Sequence, residues 1–464
     1  MLRFGCERTA GNIEQLNNGG GRCPNTRPLL RSQLSSGWRI DRINGWQRIR
    51  LGHGSLDEVE KMKEFDVVVW GATGFTGRLV AEYLAETYGT EMDQLSWAVA
   101  GRSEAKLRSV AEEFGFSDVP RLVADSMDEA SVRAMAERTR VVCTTVGPYA
   151  LYGELLVKIC AELGVHYCDL TGEVQWMRDM IEAYHATAES SGAKIVHTCG
   201  FDSLPSDLGV HFLQKAFLDR FSSTAEEVHY RMMGAKGGAS GGTIASMLNM
   251  LEQSAVDPSL ADMLADDYSL NPPNSPRGPD MPGDDVFYFD ERLKRWVSPF
   301  VMAAINTRVV RRTHALKQYP YGDQFRYQEG TDCGPGIKGY AKGLSSVVLG
   351  KLGMGFVATR IGRRLITPLL PKPGEGPDAK TREEGYFKVR LHGENGDNRL
   401  TVEVTGDRDP GYGSTAKMIA EAAVCLAKDE LPSEGGVLTP AFCMGDALIA
   451  RLTQSAGLQF TEVA

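Results

Sequence analysis

Nowhere in this 464-residue chain do the ~18 to 20 consecutive apolar residues of a membrane-spanning helix occur. A C-x-x-C pair is missing too. The nine cysteines, Cys6, Cys23, Cys143, Cys160, Cys168, Cys199, Cys333, Cys425 and Cys443, are odd in number and scattered, which suggests no structural metal site and fits reduced thiols inside a cell. Several sit in apolar runs such as Val141-Val142-Cys143, where cysteine behaves as a small buried hydrophobe. Positive charge is in short supply as well. A net charge of -9 offers no field that would gather nucleic acid, so no such partner is expected, and no metal is expected either.

The first sixty residues are short of acids and of any apolar period, and carry arginines at 3, 8, 22, 27, 31, 39, 42, 48 and 50. Residues 1–62 are therefore set apart from the fold as a disordered or targeting extension. They read either as an organelle transit peptide or as an extension ahead of a start at Met62, which stands just before the first strand.

The whole chain is 42% hydrophobic, and from Phe65 onward its apolar residues fall in regular alternation. Phe65 to Trp70 is a short β-branched run bounded by glycine, the mark of a buried parallel strand. Helical spacing follows at Phe75, Leu79, Tyr83 and Leu84, then strands at Trp97 to Ala100 and Arg121 to Ala124 around a helix at Ala105 to Phe114. Further strands are predicted at Val141 to Val146, His166 to Leu170 and Lys194 to Thr198. Six parallel strands make a Rossmann-type doubly wound sheet over residues 63–207.

Beyond Asp207 the pattern changes to a mixed α+β domain, residues 208–435, with strands predicted at Val228 to Met233, Arg308 to Arg311, Tyr386 to His392 and Arg399 to Thr405. Residues 257–285, rich in Pro, Asp, Asn and Gly, predict a long surface loop. Residues 344–370 interleave apolar residues with Lys351, Arg360, Arg363 and Arg364. This segment is either an amphipathic helix at a lipid interface or a helix packed on its own core, the second being favoured. Residues 436–464 are expected to form a C-terminal helix returning to the core.

The chemistry concentrates at Gly71-Ala72-Thr73-Gly74-Phe75-Thr76-Gly77. A helix opening at Gly74 points free N–H groups and its positive dipole end into the loop, a site for a pyrophosphate. Glycine supplies the tight turn, the close approach of phosphate and the close contact of helix with strand. A glycine triplet alone is weak evidence, but one set between a strand and a helix of a β-α-β unit reads as a dinucleotide site. At the end of the second strand, where NAD-binding folds present an acid, stands Gly101-Arg102-Ser103. Arg102, assisted by Ser103 and Lys106, suits a 2′-phosphate, so NADP(H) is the expected cofactor. Asp125 ends the third strand and either receives the adenine amine or caps the next helix. Val146, Gly147, Pro148 and Tyr149 end the fourth strand where the nicotinamide passes.

Five runs now resemble a known family: Trp70-Gly-Ala-Thr-Gly-Phe-Thr-Gly-Arg78, Ala100-Gly-Arg102, Val146-Gly-Pro-Tyr149, Tyr167-Cys-Asp-Leu-Thr-Gly-Glu173 and Gly200-Phe-Asp-Ser-Leu-Pro-Ser-Asp207. Together with Gly237 to Thr243, Leu370 to Gly376 and Gly436 to Pro440, they look like saccharopine dehydrogenase-like oxidoreductases over Phe65 to Leu452. The nearest branch joins the eukaryotic saccharopine dehydrogenase-like oxidoreductases to the bacterial trans-acting enoyl reductases. The resemblance implies an NADP-dependent oxidoreductase of lipid or glycolipid metabolism acting on a small-molecule or carrier-tethered acyl substrate. It further implies association with mitochondria, lipid droplets or the plasma membrane. An assembly of identical chains is compatible with it.

Reduction needs a proton source within hydrogen-bond reach of the acceptor. Tyr149, Asp169, His197 and Asp202 all fall at strand ends, and Asp169 and Tyr149 are selected because they flank the nicotinamide crevice, with Thr171, Gly172 and Glu173 in the adjoining loop. Asp202 before Ser203 also suits a helix cap, and His197 suits a satisfied core position. The Gly237 to Thr243 run is either an anion-binding loop or a turn before a helix. A nucleotide-binding scaffold that works at a lipid surface is the alternative function.

Overall fold

The computed structural model describes residues 38–43, 46–51, 63–237, 263, 265–279, 286–359, 362, 364–365 and 375–463. It divides into two compact units, Met1–Lys61 and Met62–Ala464. In the first, Trp38–Ile43 and Trp46–Leu51 pair antiparallel. The reading of residues 1–62 as a disordered or targeting extension did not include this hairpin. The signal was there: two runs rich in Trp, Ile and Leu flank Asn44-Gly45, the pair that favours a two-residue hairpin.

The second unit begins with the nucleotide sheet. Its seven parallel strands lie in the order Gly436–Leu438, Lys194–Val196, His166–Cys168, Thr139–Thr144, Phe65–Trp70, Trp97–Gly101 and Arg121–Val123. Each residue of Phe65–Trp70 is buried, as a strand covered on both faces requires. Six strands were expected. The seventh, Gly436–Leu438, pairs with Lys194–Val196 and comes from the segment expected to be a terminal helix. That segment goes on through two helices, Pro440–Cys443 and Gly445–Gln454, to a strand, Leu458–Val463. A three-residue strand carries too little pattern to be read from sequence.

The second sheet is mixed, in the order Tyr288–Asp290, Arg295–Ser298, Arg326–Gly334, Glu227–Lys236, Tyr386–Asn395, Asn398–Gly406 and Leu458–Val463. Only Arg326–Gly334 and Glu227–Lys236 run parallel. The domain boundary placed at Asp207 falls inside the helix Leu204–Phe221, which buries Leu208, Leu213 and Phe217 and packs on Tyr386–Asn395 and Asn398–Gly406. Nor does the nucleotide domain end there. The helix Gly413–Lys428, far along the chain, packs on Phe65–Trp70, Thr139–Thr144 and the helix Phe75–Tyr88. Its Met418, Ile419, Ala420, Ala422, Ala423 and Val424 are all buried, because a helix apolar on every side belongs inside a core.

Arg308 to Arg311, read as a strand, lies in the helix Ala303–Leu316. β-branched Val309 and Val310 between arginines suggest alternation, but tertiary contacts decide otherwise. Arg308 and Arg312 bury their guanidinium groups against the carbonyls of Asp266 and Leu270. Those carbonyls belong to the predicted surface loop, whose described part is tied down, with Ser269 and Leu270 buried. The remainder of that loop, the Gly238 to Thr243 part of the glycine run and residues 366–374 lie outside the described residues.

The helix Gly336–Ala358 overturns the preference for core packing. Its first half is seated through Gly339 and Gly343, where a Cβ at Gly343 would come 2.3 Å from the Phe287 ring. Tyr340 meets Trp296 with ring centroids 4.9 Å apart. From Leu344 to the end of this helix no described side chain is buried. Leu349 is 68% and Leu352 66% exposed. Among the described residues no helix is long and apolar enough to cross a membrane.

Candidate functional site

The glycine loop stands at the switch point of the sheet, between the ends of Phe65–Trp70 and Thr139–Thr144. Gly71 has φ +93°, and a Cβ there would lie 2.8 Å from both Thr145 Oγ1 and Val146 Cγ2. A Cβ on Gly77 would stand 2.2 Å from the Gly71 carbonyl oxygen, so only glycine lets the helix approach the turn. Gly74 caps the helix Phe75–Tyr88 without a side-chain hydrogen bond. The first-turn N–H groups are thus left for an anion. Thr73, Gly74 and Thr76 are partly exposed around this cradle, while Ala72, Phe75 and Gly77 are buried. Phe75 therefore serves the site through its backbone; its ring turns inward against Tyr412. The residues present fit a dinucleotide pyrophosphate.

At the adenosine end Arg102 and Lys106 are exposed beside the helix Glu104–Glu113. Ser103 is that helix's cap and accepts from Lys106 N at 3.4 Å. Arg102 has no hydrogen-bond partner among the described residues and is open to a phosphate. Asp125 is not the helix cap. Its Oδ1 accepts from Met127 N in a turn, and Asp128 caps Glu129–Ala136.

At the nicotinamide end the turn runs through Val146, Gly147 and Pro148 into Tyr149. The two residues selected as proton donors are both occupied. Tyr149 is 6% exposed; its hydroxyl donates to the Thr144 carbonyl and accepts from Leu170 N, each at 3.2 Å, and its ring stacks on Trp176. Burial drives its phenol well above the usual tyrosine range, with the charge of Asp169 adding to the effect. Asp169 is fully buried and accepts four bonds, from Tyr167 Oη at 2.8 Å, His197 Nδ1 at 2.7 Å, Thr171 N at 3.0 Å and Thr198 N at 3.1 Å. Such a carboxylate holds two strand-end loops in register and has no room for a substrate. Both side chains are spent on holding the strand-end loops together.

His197 donates from Nδ1 to Asp169, which leaves Nε2 unpartnered and buried. It lines a small cavity with Met177, Val309, Arg312 and Thr439. Glu173, placed by sequence only in the adjoining loop, accepts Tyr149 N and Ala150 N, each at 2.9 Å, and so anchors the turn. Asp202 differs from the rest. It is partly exposed at the end of the strand Lys194–Val196, and burial raises its carboxyl to about 7. No sequence signal linked Phe75 to Tyr412, Arg382 and Gly376, which close over it from more than 300 residues away.

These features define a two-domain dinucleotide-dependent oxidoreductase with its crevice beyond the carboxyl ends of a doubly wound sheet. Residues 67–196 match the saccharopine dehydrogenase NADP binding domain. A trans-acting enoyl reductase of Mycobacterium ulcerans is 37% identical over 408 residues, covering 85% of this chain and 96% of the relative. A Mycobacterium tuberculosis protein whose longer name contains the same words is 41% identical over 420 residues, covering 87% of this chain and 99% of the relative. Among solved structures, apo saccharopine dehydrogenase (L-Glu forming) from Saccharomyces cerevisiae aligns over 86% of this chain and 99% of its own, at 13% identity and a TM-score of 0.48. The chain belongs to the saccharopine dehydrogenase-like family, in the branch of the trans-acting enoyl reductases, and is an NADP-dependent oxidoreductase.

Proposed function

We propose that the protein reduces the carbon-carbon double bond of an α,β-unsaturated acyl thioester presented by a carrier. The observation that carries this reading is likeness over nearly the whole length of proteins named for enoyl reduction, second domain included. When bound, the dinucleotide supplies a hydride equivalent at its nicotinamide ring. The chain's own residues do the rest. The backbone of Thr73 to Thr76 holds the pyrophosphate, Arg102 and Lys106 hold the 2′-phosphate, and Glu173 fixes the turn that carries Gly147 and Pro148. The experiment is to incubate the full chain with NADPH and enoyl-pantetheine thioesters of rising length, and to follow NADPH consumption and the saturated product. Product formation is expected; NADPH bound with no enoyl thioester turned over removes the reading.

A specific observation favours a second feature of this function, work at an anionic lipid surface. In Gly336–Ala358 the exposed Leu344, Val348, Leu349, Leu352 and Phe356 form a stripe directed away from the protein body. Lys338, Lys342 and Lys351 flank it, four more cations follow, and no acid stands between Asp332 and Glu375, in a chain whose net charge is -9. Apolar surface rimmed by unopposed cations suits the headgroup region of a charged membrane or droplet. Sedimentation with vesicles containing phosphatidylserine should carry the wild type down. The Leu349→Glu, Leu352→Glu double variant should stay in solution while still binding NADPH. Equal binding of both, or none by either, overturns this feature and with it the lipid-surface scaffold alternative.

A further inference from the structure

We propose that Asp202 is the proton donor of the reduction, a catalytic residue whose carboxyl delivers the proton to the acceptor's α-carbon. The inference rests on the enoyl reductase reading above. Of the four candidate donors read from the sequence, Tyr149, Asp169, His197 and Asp202, three are withdrawn. The Tyr149 hydroxyl is spent on two backbone groups, Asp169 accepts four bonds, and His197 is enclosed behind Trp176 with their rings 5.0 Å apart. Asp202 is partly exposed and has no side-chain partner among the described residues.

Its position follows from what surrounds Gly200. A Cβ built there would come 2.6 Å from Leu170 Cδ2, 2.9 Å from Asp202 Oδ2 and 3.0 Å from Thr415 Cγ2, so these three side chains converge over one bare glycine. Leu170 is itself held through its N–H by the Tyr149 hydroxyl, and Tyr149 follows the Gly147-Pro148 turn. Thr415 is held from the other side, donating to the Pro410 carbonyl and accepting from Phe201 N. The carboxyl thus lies beside the loop that carries Leu170, one hydrogen bond from Tyr149 and the nicotinamide turn, with Thr415 of the helix Gly413–Lys428 on its other side.

The charge environment suits the role. Burial is the main influence on the carboxyl, and the one charged group that bears on it, Asp169, is negative; both keep the proton on. Its own backbone N–H opposes them. An acid that holds its proton near neutrality and has no cation beside it among the described residues is poised to donate. The step balances. As a hydride equivalent enters at the β-carbon, the π pair moves to the α-carbon, a C–H bond forms there with the Asp202 proton, and the carboxylate left behind recovers a proton from water.

Two readouts test this, one of them independent of turnover. In carboxyl carbon NMR of the full chain labelled at aspartate, one resonance should titrate near pH 7 and be missing from Asp202→Asn. In turnover, Asp202→Asn should bind NADPH as the wild type does and lose at least a hundredfold in kcat. Asp202→Glu should recover part of the rate with a displaced basic limb of the pH profile. Because Asp207 is also raised, to about 6, the resonance is assigned by its loss in Asp202→Asn; if no resonance titrating near pH 7 is lost in that variant, or if its pH profile of turnover runs parallel to the wild type's, the assignment is overturned. Failure of the wild type itself to turn over enoyl thioesters would instead strike the function, and the NMR titration would still report on the carboxyl.

Discussion

The rings of Phe75 and Tyr412 meet edge to face, with centroids 5.1 Å apart and planes at 80°. Phe75 is the fifth residue of the glycine loop, and Tyr412 caps the helix Gly413–Lys428, so a segment from beyond the second sheet's central hairpin sets the phosphate cradle. Arg382 lies over the same ring at 5.7 Å, and Gly376 sits so close that a Cβ would fall 2.4 Å from Phe75 Cε1. The cofactor loop is clamped by residues more than 300 positions further along the chain. Tyr412→Leu removes the edge contact without emptying the site. An aromatic pair contributes roughly 0.5 to 1.5 kcal/mol, so the NADPH dissociation constant should rise about two- to tenfold in a fluorescence titration. An unchanged constant would mean that strand and helix alone hold the loop.

Cofactor choice rests on a different end of the crevice. Arg102 is exposed, has no hydrogen-bond partner among the described residues, and stands just before the helix Glu104–Glu113. A hydrogen bond to a charged group contributes roughly 1.5 to 3 kcal/mol, which puts Arg102→Ala at about ten- to a hundredfold weaker NADPH binding. NADH binding should barely move, because it lacks that phosphate. Parallel titrations with both dinucleotides distinguish a lost phosphate contact from a damaged domain, in which both would weaken.

Glu173 offers a test of the nicotinamide turn. Its two carboxylate oxygens each take one N–H at the start of the four-residue helix Tyr149–Tyr152, and the group is 3% exposed. Glu173→Gln turns one acceptor into a donor that faces Tyr149 N or Ala150 N. Leaving one buried donor unmet costs about 1 to 3 kcal/mol, which urea unfolding of the full chain should register. KM for the acyl substrate should rise as the turn loosens. A variant as stable as the wild type would show that the turn is held by Pro148 and Trp176 alone.

How much of this was legible beforehand depends on the range of the interaction that decides each feature. The glycine loop, Arg102 and the alternation from Phe65 to Val196 are local patterns, and the structure keeps them where the sequence puts them. Gly436–Leu438 and Gly413–Lys428 belong to the nucleotide sheet only through pairing and packing with residues more than 200 positions away, which periodicity cannot report. Asp169 and Tyr149 were selected as proton donors from their place along the chain, and in the structure both side chains are already spent on hydrogen bonds. Position along a strand says where a side chain stands; how many bonds it already makes emerges only from the assembled loops. Arg308 to Arg311 shows the same limit, since a helix filled with buried arginines has no apolar stripe to betray it.

His314 supplies a prediction about acid stability. It is 8% exposed, stacks on Tyr321 at 4.9 Å with planes 8° apart, and its Nε2 lies 3.2 Å from the Gly322 carbonyl. Burial, the largest influence, lowers its pKa from the ordinary 6.5 to about 4. Between those two values the unfolded chain binds a proton that the folded chain refuses, so stability must fall as pH is lowered through this window and level off below it. His314→Phe keeps the stack and has nothing to protonate. At pH 7.5 it should be slightly less stable, by roughly 1 kcal/mol for the lost hydrogen bond. Between pH 6.5 and 4 its unfolding free energy should decline less steeply than the wild type's, with His392, lowered to about 4, and His166, lowered to about 3, keeping some slope in both. Urea midpoints across that range give the comparison, and parallel slopes would show that His314 takes up its proton in the folded protein without cost.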